Sequence, residues 1–454
     1  MSNPVSDGPV SKNLRAGLWV LLVFFVIFGG IVELRSAFLT QRRTDADDFF
    51  RAGWGIRTGR DIYSLTDTHG WHYNYPPFFA ILISPLANPP PGAPRDGMLP
   101  YEVSVALWYL ASVAAVALGV HWLASALEEH LSGAPAARPP RFCTRWWLLR
   151  VIPILVCLPS IGRTLSRGQV NTLVLLFFCG ACAMAARKRS VMSGMFIAAA
   201  ASIKIIPAYI GLNALLRRDW RCVAGCFLGA ILCLGVVPLI TLGPTRMTEC
   251  YHRFFEVMVG PALTGGGDQS RAAELLAIDG TDSQSFMVII HNTMNPRQPR
   301  PSVAARWVKP AHWALSLLIT LVAVWYGRKA RPDDALYNVM FLGVLIVTML
   351  PISPASHTHY LAFALPLVMA LTAFSWEKNQ APVLSRGYFI LFTVHVAANV
   401  IAMPQSLILL KALGLPMYGT MILWVAGLRA LKERSEMPLP QQAPAGSPCL
   451  SGNA

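Results

Sequence analysis

Residues 16–32 read AGLWVLLVFFVIFGGIV, an unbroken apolar run long enough to cross most of a bilayer as a helix. Lys12 and Arg15 precede it, and Glu33 and Arg35 follow it with no small-residue cleavage site, which predicts a retained anchor and not a removable signal peptide. Similar runs recur along the 454 residues, of which 54% are hydrophobic, with a mean hydropathy of +0.47. The sequence therefore predicts an all-α, multi-pass membrane protein.

The chain is strongly basic, with a formal net charge of +15. Such a charge could indicate nucleic-acid binding, but the basic residues stand in short clusters at the ends of the apolar runs. Clusters in those places orient membrane helices. We therefore expect a lipid bilayer and no nucleic acid as the partner.

Nine cysteines raise the question of a redox or metal site. Cys179 and Cys182 have the CxxC spacing, but they lie inside an apolar run, as do several of the others. Thiols in such positions usually behave as small hydrophobic groups. No redox or metal site is predicted from them.

The basic clusters also predict the topology, because short cytoplasmic loops collect Lys and Arg. They place both termini in the cytoplasm and predict about ten to twelve transmembrane helices in one membrane domain, residues 1–432. Residues 39–101 and 243–310 are then extracytoplasmic. Residues 433–454 are expected to form a disordered cytoplasmic tail.

Two apolar segments are not expected to cross the membrane as full helices. Residues 78–87 are too few to span it and follow two prolines, which predicts a short interfacial or re-entrant helix. Residues 191–216 have basic clusters at both ends, which predicts a hairpin of two half-helices broken near Lys204 and Pro207. Lys204 lies midway along this hairpin, where an ionisable group is costly and indicates a functional site; snorkelling to the interface is the less favoured alternative.

The polar segment from Thr44 to Pro77 contains three carboxylates in four residues, namely Asp45, Asp47 and Asp48. A carboxylate at the membrane surface can act as a general base towards a hydroxyl group. A solvated acidic turn is an equally open interpretation. The DxDD spacing could also bind a hard cation, but no second acidic cluster is expected on this face to complete such a site.

Two further polar groups are predicted on the same face. Arg163, Arg167, Gln169 and Asn171 form a turn that could bind a phosphate or sugar hydroxyls, or could simply cap a helix. The two histidines of the 357–359 turn could contact an anion or could be ordinary interfacial residues.

Taken in order, these motifs resemble glycosyltransferase family 87, the polyprenol-phosphate-mannose-dependent mannosyltransferases of the GT-C fold. The resemblance rests on Asp45 with Phe49-Phe50, Gly59 and Tyr63; Tyr73-Asn74-Tyr75-Pro76-Pro77; Gly168-Gln169-Val170-Asn171; Ser202-Ile203-Lys204-Ile205-Ile206-Pro207; Ser283-Gln284-Ser285; and Ser353-Pro354-Ala355-Ser356 through His359.

This chain departs from the family pattern in two places. The family usually has Asn-Gln-Ser where this chain has Ser283-Gln284-Ser285, and Trp-x-His-His where this chain has residues 357–360. The second departure makes His359, rather than His357, the matching position. The fourteen-residue separation from Gly59 is the spacing of the family's acid, and it selects Asp45 among the three aspartates.

The resemblance implies an inverting transfer of a sugar, mannose or another such as a pentose, from a polyprenyl phosphate to a lipid or glycan acceptor. The reaction would take place on the extracytoplasmic face of the inner membrane, with Asp45 as the base. The implied donor-binding residues are Lys204, His359, Arg163, Arg167, Gln169 and Asn171. Those implied to shape the acceptor site are Asp48, Tyr63, Tyr75, Pro76, Pro77 and Gln284. Because the donor leaves as a phosphate monoester, no divalent metal or other cofactor is expected to be required.

A transporter or flippase of lipid-linked sugars is the main alternative, since such proteins also use broken helices and intramembrane charges. Transporters commonly contain internal repeats, and the carboxy-terminal half has no second copy of the Asp45 or Pro76-Pro77 pattern. An inactive scaffold would leave Lys204 and the acids without a role. Surface chemistry is therefore the favoured hypothesis.

Overall fold

The structure is a computed structural model that describes residues 11–38, 44–131, 141–261, 270–275, 277–329, 331, 333–379 and 381–437. Regular structure in these residues is helical throughout. Their only extended pairings are two isolated bridges, Thr66 with His72 and Ser283 with His357. The predicted all-α class is confirmed.

The α-helices are numbered in chain order: α1 Lys12–Glu33, α2 Ala46–Thr58, α3 Pro77–Ile83, α4 Tyr101–Leu131, α5 Thr144–Ser166, α6 Asn171–Ala186, α7 Ser190–Ile203, α8 Leu212–Leu216, α9 Trp220–Ala230, α10 Val237–Phe254, α11 Ser270–Leu275, α12 Phe286–Met294, α13 Val308–Gly327, α14 Ala335–Ile352, α15 Leu365–Asn379, α16 Arg386–Ile401, α17 Ile408–Ala412 and α18 Leu415–Glu436.

Seven helices in the described ranges are long and apolar enough to cross a membrane, and a pair bent by 103°, Arg386–Ile401 with Gln405–Ala412, would make eight. The chain is therefore a multi-pass membrane protein. Ten to twelve spans were expected. Four further apolar helices have only 10–17 residues, namely Pro77–Leu86, Asn171–Ala186, Ser190–Ile203 and Ile206–Leu216, and of these only Asn171–Ala186 lies outside the two segments that were not expected to cross as full helices.

Two helices form the centre of the bundle. In Ala335–Ile352 and in Thr358–Asn379, 94% of the most apolar 18-residue stretch is buried, whereas in Trp220–Val259 the corresponding share is 22%. A helix that is apolar on every face is buried from both water and lipid when other helices surround it. Helices α14 and α15 are such helices, and the candidate site forms at one end of α15.

The predicted break at Lys204 is confirmed. Helix α7 ends at Ile203, and Lys204 has extended backbone angles, φ −131° and ψ 129°. A 3-10 turn, Ile206–Gly211, continues the chain. Helices α7 and α9 pack closely. At Gly194 an added Cβ would lie only 2.1 Å from the carbonyl oxygen of Cys222. This backbone contact fixes the hairpin that carries Lys204.

The two predicted outer segments contain helices of their own. Residues 39–101 include α2 and the short α3, which begins at Pro77 as predicted. Residues 243–310 begin with helix and not with loop, because α10 bends at Gly243 (φ 75°, ψ 168°) and continues to Phe254. A positive φ suits glycine, since it has no Cβ.

The first residues of the predicted tail are helical. Helix α18 continues to Glu436, so residues 433–436 are helical. Arg434 is 2% exposed and forms hydrogen-bonded ion pairs with Asp334 at 2.7 Å and with Glu377 at 2.6 Å. These carboxylates, which are remote in sequence, hold the charged end of α18 in place. Residues 438–454 lie outside the described residues.

Candidate active site

Asp45 lies immediately before α2 and is held by the turn between α5 and α6. Its main-chain N–H donates to the carbonyl oxygen of Arg167 at 2.9 Å. The side-chain amide of Gln169 donates to the Asp45 carboxylate. The structure therefore joins two motifs that the sequence separates widely.

A glycine makes this close approach possible. Gly168 has φ +63°, and a Cβ there would lie 2.9 Å from the Cβ of Ala46. Its carbonyl oxygen accepts a 2.7 Å hydrogen bond from the indole N–H of Trp108. A side chain at position 168 would be strained and would push Asp45 away from Gln169.

Lys204 reaches the same turn from the broken hairpin. It is 5% exposed, and its ammonium group donates to the Asn171 side-chain oxygen and to the Tyr360 hydroxyl, each at 2.7 Å. The ammonium nitrogen also lies 4.0 Å from the ring centre of Tyr360 and 5.3 Å from that of Tyr75. Gln169 and Asn171 thus hold the acid and the buried cation from one turn.

The three aspartates have different surroundings. Burial raises the pKa of Asp45, while the charges of Arg167 and Lys204 oppose the shift. Burial, together with the charges of Asp67 and Asp45, raises the pKa of Asp48 well above its usual value. Asp47 is fully buried and pairs with Arg51 at 3.1 Å. Asp47 is therefore engaged in a structural ion pair, whereas Asp45 faces Gln169.

His359 is the histidine placed deepest in the site. It is 2% exposed, and neither ring nitrogen has a hydrogen-bond partner among the described residues. Its ring lies 5.5 Å from that of His357 in a stacked arrangement and 4.9 Å from that of Tyr360. Its carbonyl oxygen accepts from the Thr164 hydroxyl at 3.1 Å, which fixes it to α5.

The two arginines of the turn point to different partners. One guanidinium nitrogen of Arg163 donates to the Ala402 carbonyl at 3.5 Å, and Nη1 has no hydrogen-bond partner in the described part of the chain. Arg167 is more exposed and lies 3.6 Å from Asp282. Arg163 is thus the more deeply buried cation, and Arg167 is the more exposed one.

Asp282 was not selected from the sequence, and it is the acid at the centre of a second charged group. Besides Arg167, its carboxylate contacts the Thr358 hydroxyl at 2.8 Å, Lys411 at 3.3 Å and His357 at 3.8 Å. Burial alone would raise its pKa, but the Arg167, histidine and lysine charges hold the pKa below its usual range. Burial lowers the pKa of His357 to about 4.

Main-chain hydrogen bonds bring the Asp282 segment to the histidine turn. The N–H of Gln284 donates to Ser356 at 2.5 Å, and the N–H of Thr358 donates to Asp282 at 3.2 Å. Both segments carry family-like motifs, but their pairing could not be seen in the sequence. The only sign of Asp282 in the sequence was its place as a polar residue directly before the Ser283-Gln284-Ser285 motif.

Gln284 is fully buried and makes bonds to the carboxy-terminal helices. Its amide nitrogen donates to the Lys411 carbonyl at 3.0 Å, and its oxygen accepts from the Met417 N–H at 3.2 Å. These bonds are of the kind that fix a segment in place. The structure therefore puts Gln284 in a supporting position and does not bring it to Asp45 through any of these bonds.

The remaining predicted residues form an aromatic wall beside the acid. The Tyr63 hydroxyl donates to the Tyr75 carbonyl at 3.0 Å, and the Tyr73 hydroxyl donates to the Pro76 carbonyl at 2.9 Å. Pro77 begins α3, where its missing N–H is not needed. The segment is thereby fixed with the Tyr75 ring next to Lys204.

The described ranges contain no disulfide and no metal-binding cluster. The eight cysteines described there are free thiols, and no group of three or more His, Cys, Asp or Glu residues is arranged to hold a metal ion. The carboxylates of Asp45 and Asp47 contact different partners, Gln169 and Arg51.

Comparison with known proteins gives one family and two similar sequences. The model of glycosyltransferase family 87 matches residues 73–354. A polyprenol-phosphate-mannose-dependent alpha-(1-2)-phosphatidylinositol mannoside mannosyltransferase of Mycobacterium tuberculosis is 26% identical over 387 residues, covering 82% of this chain and 80% of that protein. A polyprenol-phosphate-mannose-dependent alpha-(1-2)-phosphatidylinositol pentamannoside mannosyltransferase of Mycolicibacterium smegmatis is 25% identical over 308 residues, covering 66% of this chain and 60% of that protein.

Two crystal structures of ArnT from Cupriavidus metallidurans are also similar. The apo structure matches with a TM-score of 0.38 and 16% identity, covering 93% of this chain and 78% of that one. The structure bound to undecaprenyl phosphate matches with the same TM-score and 14% identity, covering 92% and 77%.

Proposed function

We propose a specific reaction for this chain, which belongs to glycosyltransferase family 87. The enzyme transfers a hexose, mannose, from a polyprenyl phosphate to a hydroxyl group of a lipid or glycan acceptor, with inversion at the anomeric carbon. The names of both similar mannosyltransferases state a polyprenol-phosphate-mannose donor. The observation that carries the proposal is the turn from Gln169 to Asn171, which holds the half-buried Asp45 carboxylate and the buried Lys204 ammonium group.

In the proposed reaction Asp45 takes the proton of the acceptor hydroxyl. The acceptor oxygen attacks the anomeric carbon, and the bond from that carbon to the phosphate oxygen breaks with its electron pair going to the phosphate. The products are the glycoside, a polyprenyl phosphate monoester and protonated Asp45. A base with a raised pKa suits this task, because proton transfer is most efficient when the pKa approaches the working pH.

The leaving phosphate gains negative charge, which fixed cations can stabilise in a site shielded from water. Lys204 is the proposed main partner, with Arg163 or Arg167 assisting. Because these cations are built into the protein, we propose that transfer needs no divalent metal. Activity that survives EDTA would support this part of the proposal.

Several buried polar atoms support a polyol and phosphate as the substrate. Atoms without a hydrogen-bond partner among the described residues include Arg163 Nη1, Gln169 Oε1, Asn171 Nδ2 and both ring nitrogens of His359. A buried polar atom left unpaired costs about 1–3 kcal/mol. Sugar hydroxyls and phosphate oxygens would supply the complementary donors and acceptors.

The acceptor is proposed to approach along the segment from Tyr63 to Pro77. Asp48 lies one helical turn from Asp45, and its raised pKa favours a protonated carboxyl that can donate as well as accept. The Tyr75 ring provides an apolar surface of the kind on which a sugar ring can pack.

We place the reaction at the extracytoplasmic surface of the inner membrane, with both termini in the cytoplasm. The support is the distribution of charge. Arg187, Lys188 and Lys378 lie at helix ends that basic clusters assign to the cytoplasm, and they pair there with Glu129, Asp333 and Glu433. Asp45 follows the carboxy-terminal end of α1, whereas the basic residues at the amino-terminal end of α1 assign that end to the cytoplasm.

Flipping of a lipid-linked sugar is the second candidate, and the break in the apolar hairpin at Lys204 is the observation that favours it. The two functions can be separated in one assay. Proteoliposomes would receive synthetic polyprenyl phosphate [³H]mannose together with extracted membrane lipids as the acceptor source. Our proposal predicts labelled glycolipid, its loss in Asp45→Asn and its retention in Asp61→Asn, which changes an acid in the same segment. Movement of intact donor between leaflets, with no labelled product from any variant, would overturn it.

A further inference from the structure

A cavity lies away from the candidate active site, between α16 and α18. Its volume is about 460 Å³, and its apolar wall includes Leu391, Met421, Ile422 and Val425. Lys378 and Arg429 lie at one end of it. His359 and Lys378 are at opposite ends of the Thr358–Asn379 helical segment, about 28 Å apart at a rise of about 1.5 Å per residue. The cavity is therefore distinct from the Asp45 site.

The shape of this groove matches a lipid chain. Its α18 wall is a single stripe of residues at helical spacing, which begins at Tyr418 and ends at Glu433. The stripe is about 22 Å long at the helical rise. One leaflet of the hydrocarbon core is about 15 Å thick. The groove can therefore accommodate an acyl chain with length to spare for the glycerol region.

The charges at the end of the groove favour an anionic headgroup. Lys378 is paired with Glu433 at 3.0 Å. Arg429 is exposed, and it makes no ion pair with any residue in the described ranges. Arg386 is exposed at the start of α16, next to the groove residues Ser385 and Gly387. Among the residues that line the groove, two cations thus stand against one carboxylate, and Arg386 adds a positive charge beside the lining residues in the chain.

We propose that the groove between α16 and α18 binds a glycerophospholipid with an anionic headgroup, from the leaflet opposite the Asp45 site. One acyl chain lies along the stripe of α18, and the phosphate contacts Arg429. A zwitterionic phospholipid would lose the charge complementarity. A polyprenyl phosphate is the less suitable occupant. It has one branched chain, and in the proposed reaction its phosphate already binds at Lys204. Only the preference over a polyprenyl phosphate rests on the proposed function.

The test is native mass spectrometry of the full-length protein after delipidation, with phosphatidylglycerol or phosphatidylcholine of identical acyl chains added at equal concentration. The wild type is expected to retain phosphatidylglycerol preferentially. Arg429→Gln is expected to weaken phosphatidylglycerol binding about fivefold, since a basic residue near an anionic lipid contributes about 1 kcal/mol. Lys432→Gln is the matched control, because it removes the same charge from the same end of α18 outside the groove.

A second pair of variants tests the apolar part. Val425→Trp fills the groove and should reduce binding of both lipids, whereas Val394→Trp should not. Val425 and Val394 are 41% and 40% exposed, so the two changes are similar at the membrane surface. Folding of each variant is checked by its thermal unfolding midpoint.

Four outcomes would overturn the proposal. Equal retention of the two phospholipids, or an unchanged affinity in Arg429→Gln, would remove the headgroup contact. Unchanged binding in Val425→Trp would remove the groove as the binding site. Displacement of phosphatidylglycerol by equimolar polyprenyl phosphate would identify the groove as a polyprenyl site instead.

Discussion

The main-chain N–H of Asp45 donates to the carbonyl oxygen of Arg167 at 2.9 Å, so the acid is fixed to the turn that follows α5. The same turn supplies Gln169 to the carboxylate and Asn171 to Lys204. The position of the base and the position of the cation therefore depend on one short segment. Small changes in this turn should affect chemistry more than folding.

Replacement of Gln169 by Leu should lower kcat about 10- to 100-fold, because it removes a donor to the Asp45 carboxylate and loosens its position. The pH dependence gives a sharper measurement. Burial raises the pKa of Asp45. Activity should fall as the pH falls through that pKa, because the base must be ionised. Loss of the Gln169 N–H destabilises the ionised form, so the acidic limb should move to higher pH. Gln405→Leu, at an exposed amide, should leave the limb unchanged; an unchanged limb in Gln169→Leu would contradict the assignment.

Replacement of Lys204 by Met keeps most of the side-chain volume and removes the charge. We expect kcat to fall about 100- to 1000-fold, as for other lost stabilisers of transition-state charge. Steady-state transfer assays and a thermal unfolding midpoint would be measured together. Lys188→Met is the control, since Lys188 forms an exposed pair with Asp333. Near-normal kcat in Lys204→Met would show that another group supports the leaving phosphate.

Asp47 should prove structural. Its pair with Arg51 is buried at 3.1 Å, and removal of one partner from a buried ion pair costs about 3–5 kcal/mol. Asp47→Asn should therefore lower the unfolding midpoint clearly, whereas Asp45→Asn should change it little. Both would be followed by thermal unfolding in detergent. A stable Asp47→Asn protein without transfer activity would instead make Asp47 a candidate base.

The Asp282 cluster predicts a pH-dependent contribution to stability. The cations around Asp282 hold its pKa below the usual range in the folded protein. Its stabilising effect is therefore complete above the unfolded pKa of about 3.9 and is lost as the pH falls through the folded value. The difference in unfolding midpoint between the wild type and Asp282→Asn should be largest near neutral pH and should shrink below about pH 4. A difference that grows on acidification would contradict this sign.

Much of this site could be predicted from local sequence. Lys204 stands out because a charge in an apolar run needs a partner, and Asp45, Gln169 and Asn171 lie in short polar segments between apolar ones. The break at Lys204 followed from Pro207 and from the basic residues at both ends of the hairpin. These signals depend on neighbours in the chain, which the sequence displays directly.

The remainder depends on contacts between distant segments. The local sequence does not show that Asp47 is more deeply buried than Asp45. It also does not show that residues 282–284 pair with residues 356–358. Arg434 falls within the predicted tail, whose Pro- and Gln-rich composition indicates disorder, whereas its ion pairs with Asp334 and Glu377 hold the end of α18 helical and buried.

The most direct test of Asp45 as the base is a single-turnover measurement. Wild-type, Asp45→Asn and Asp61→Asn proteins would be loaded with polyprenyl phosphate [³H]mannose, and donor binding and product formation would be followed separately. We predict that Asp45→Asn binds the donor with wild-type affinity but forms product at least about 100-fold more slowly, while Asp61→Asn behaves as the wild type. Product formation by Asp45→Asn at the wild-type rate would contradict the assignment of Asp45 as the catalytic base.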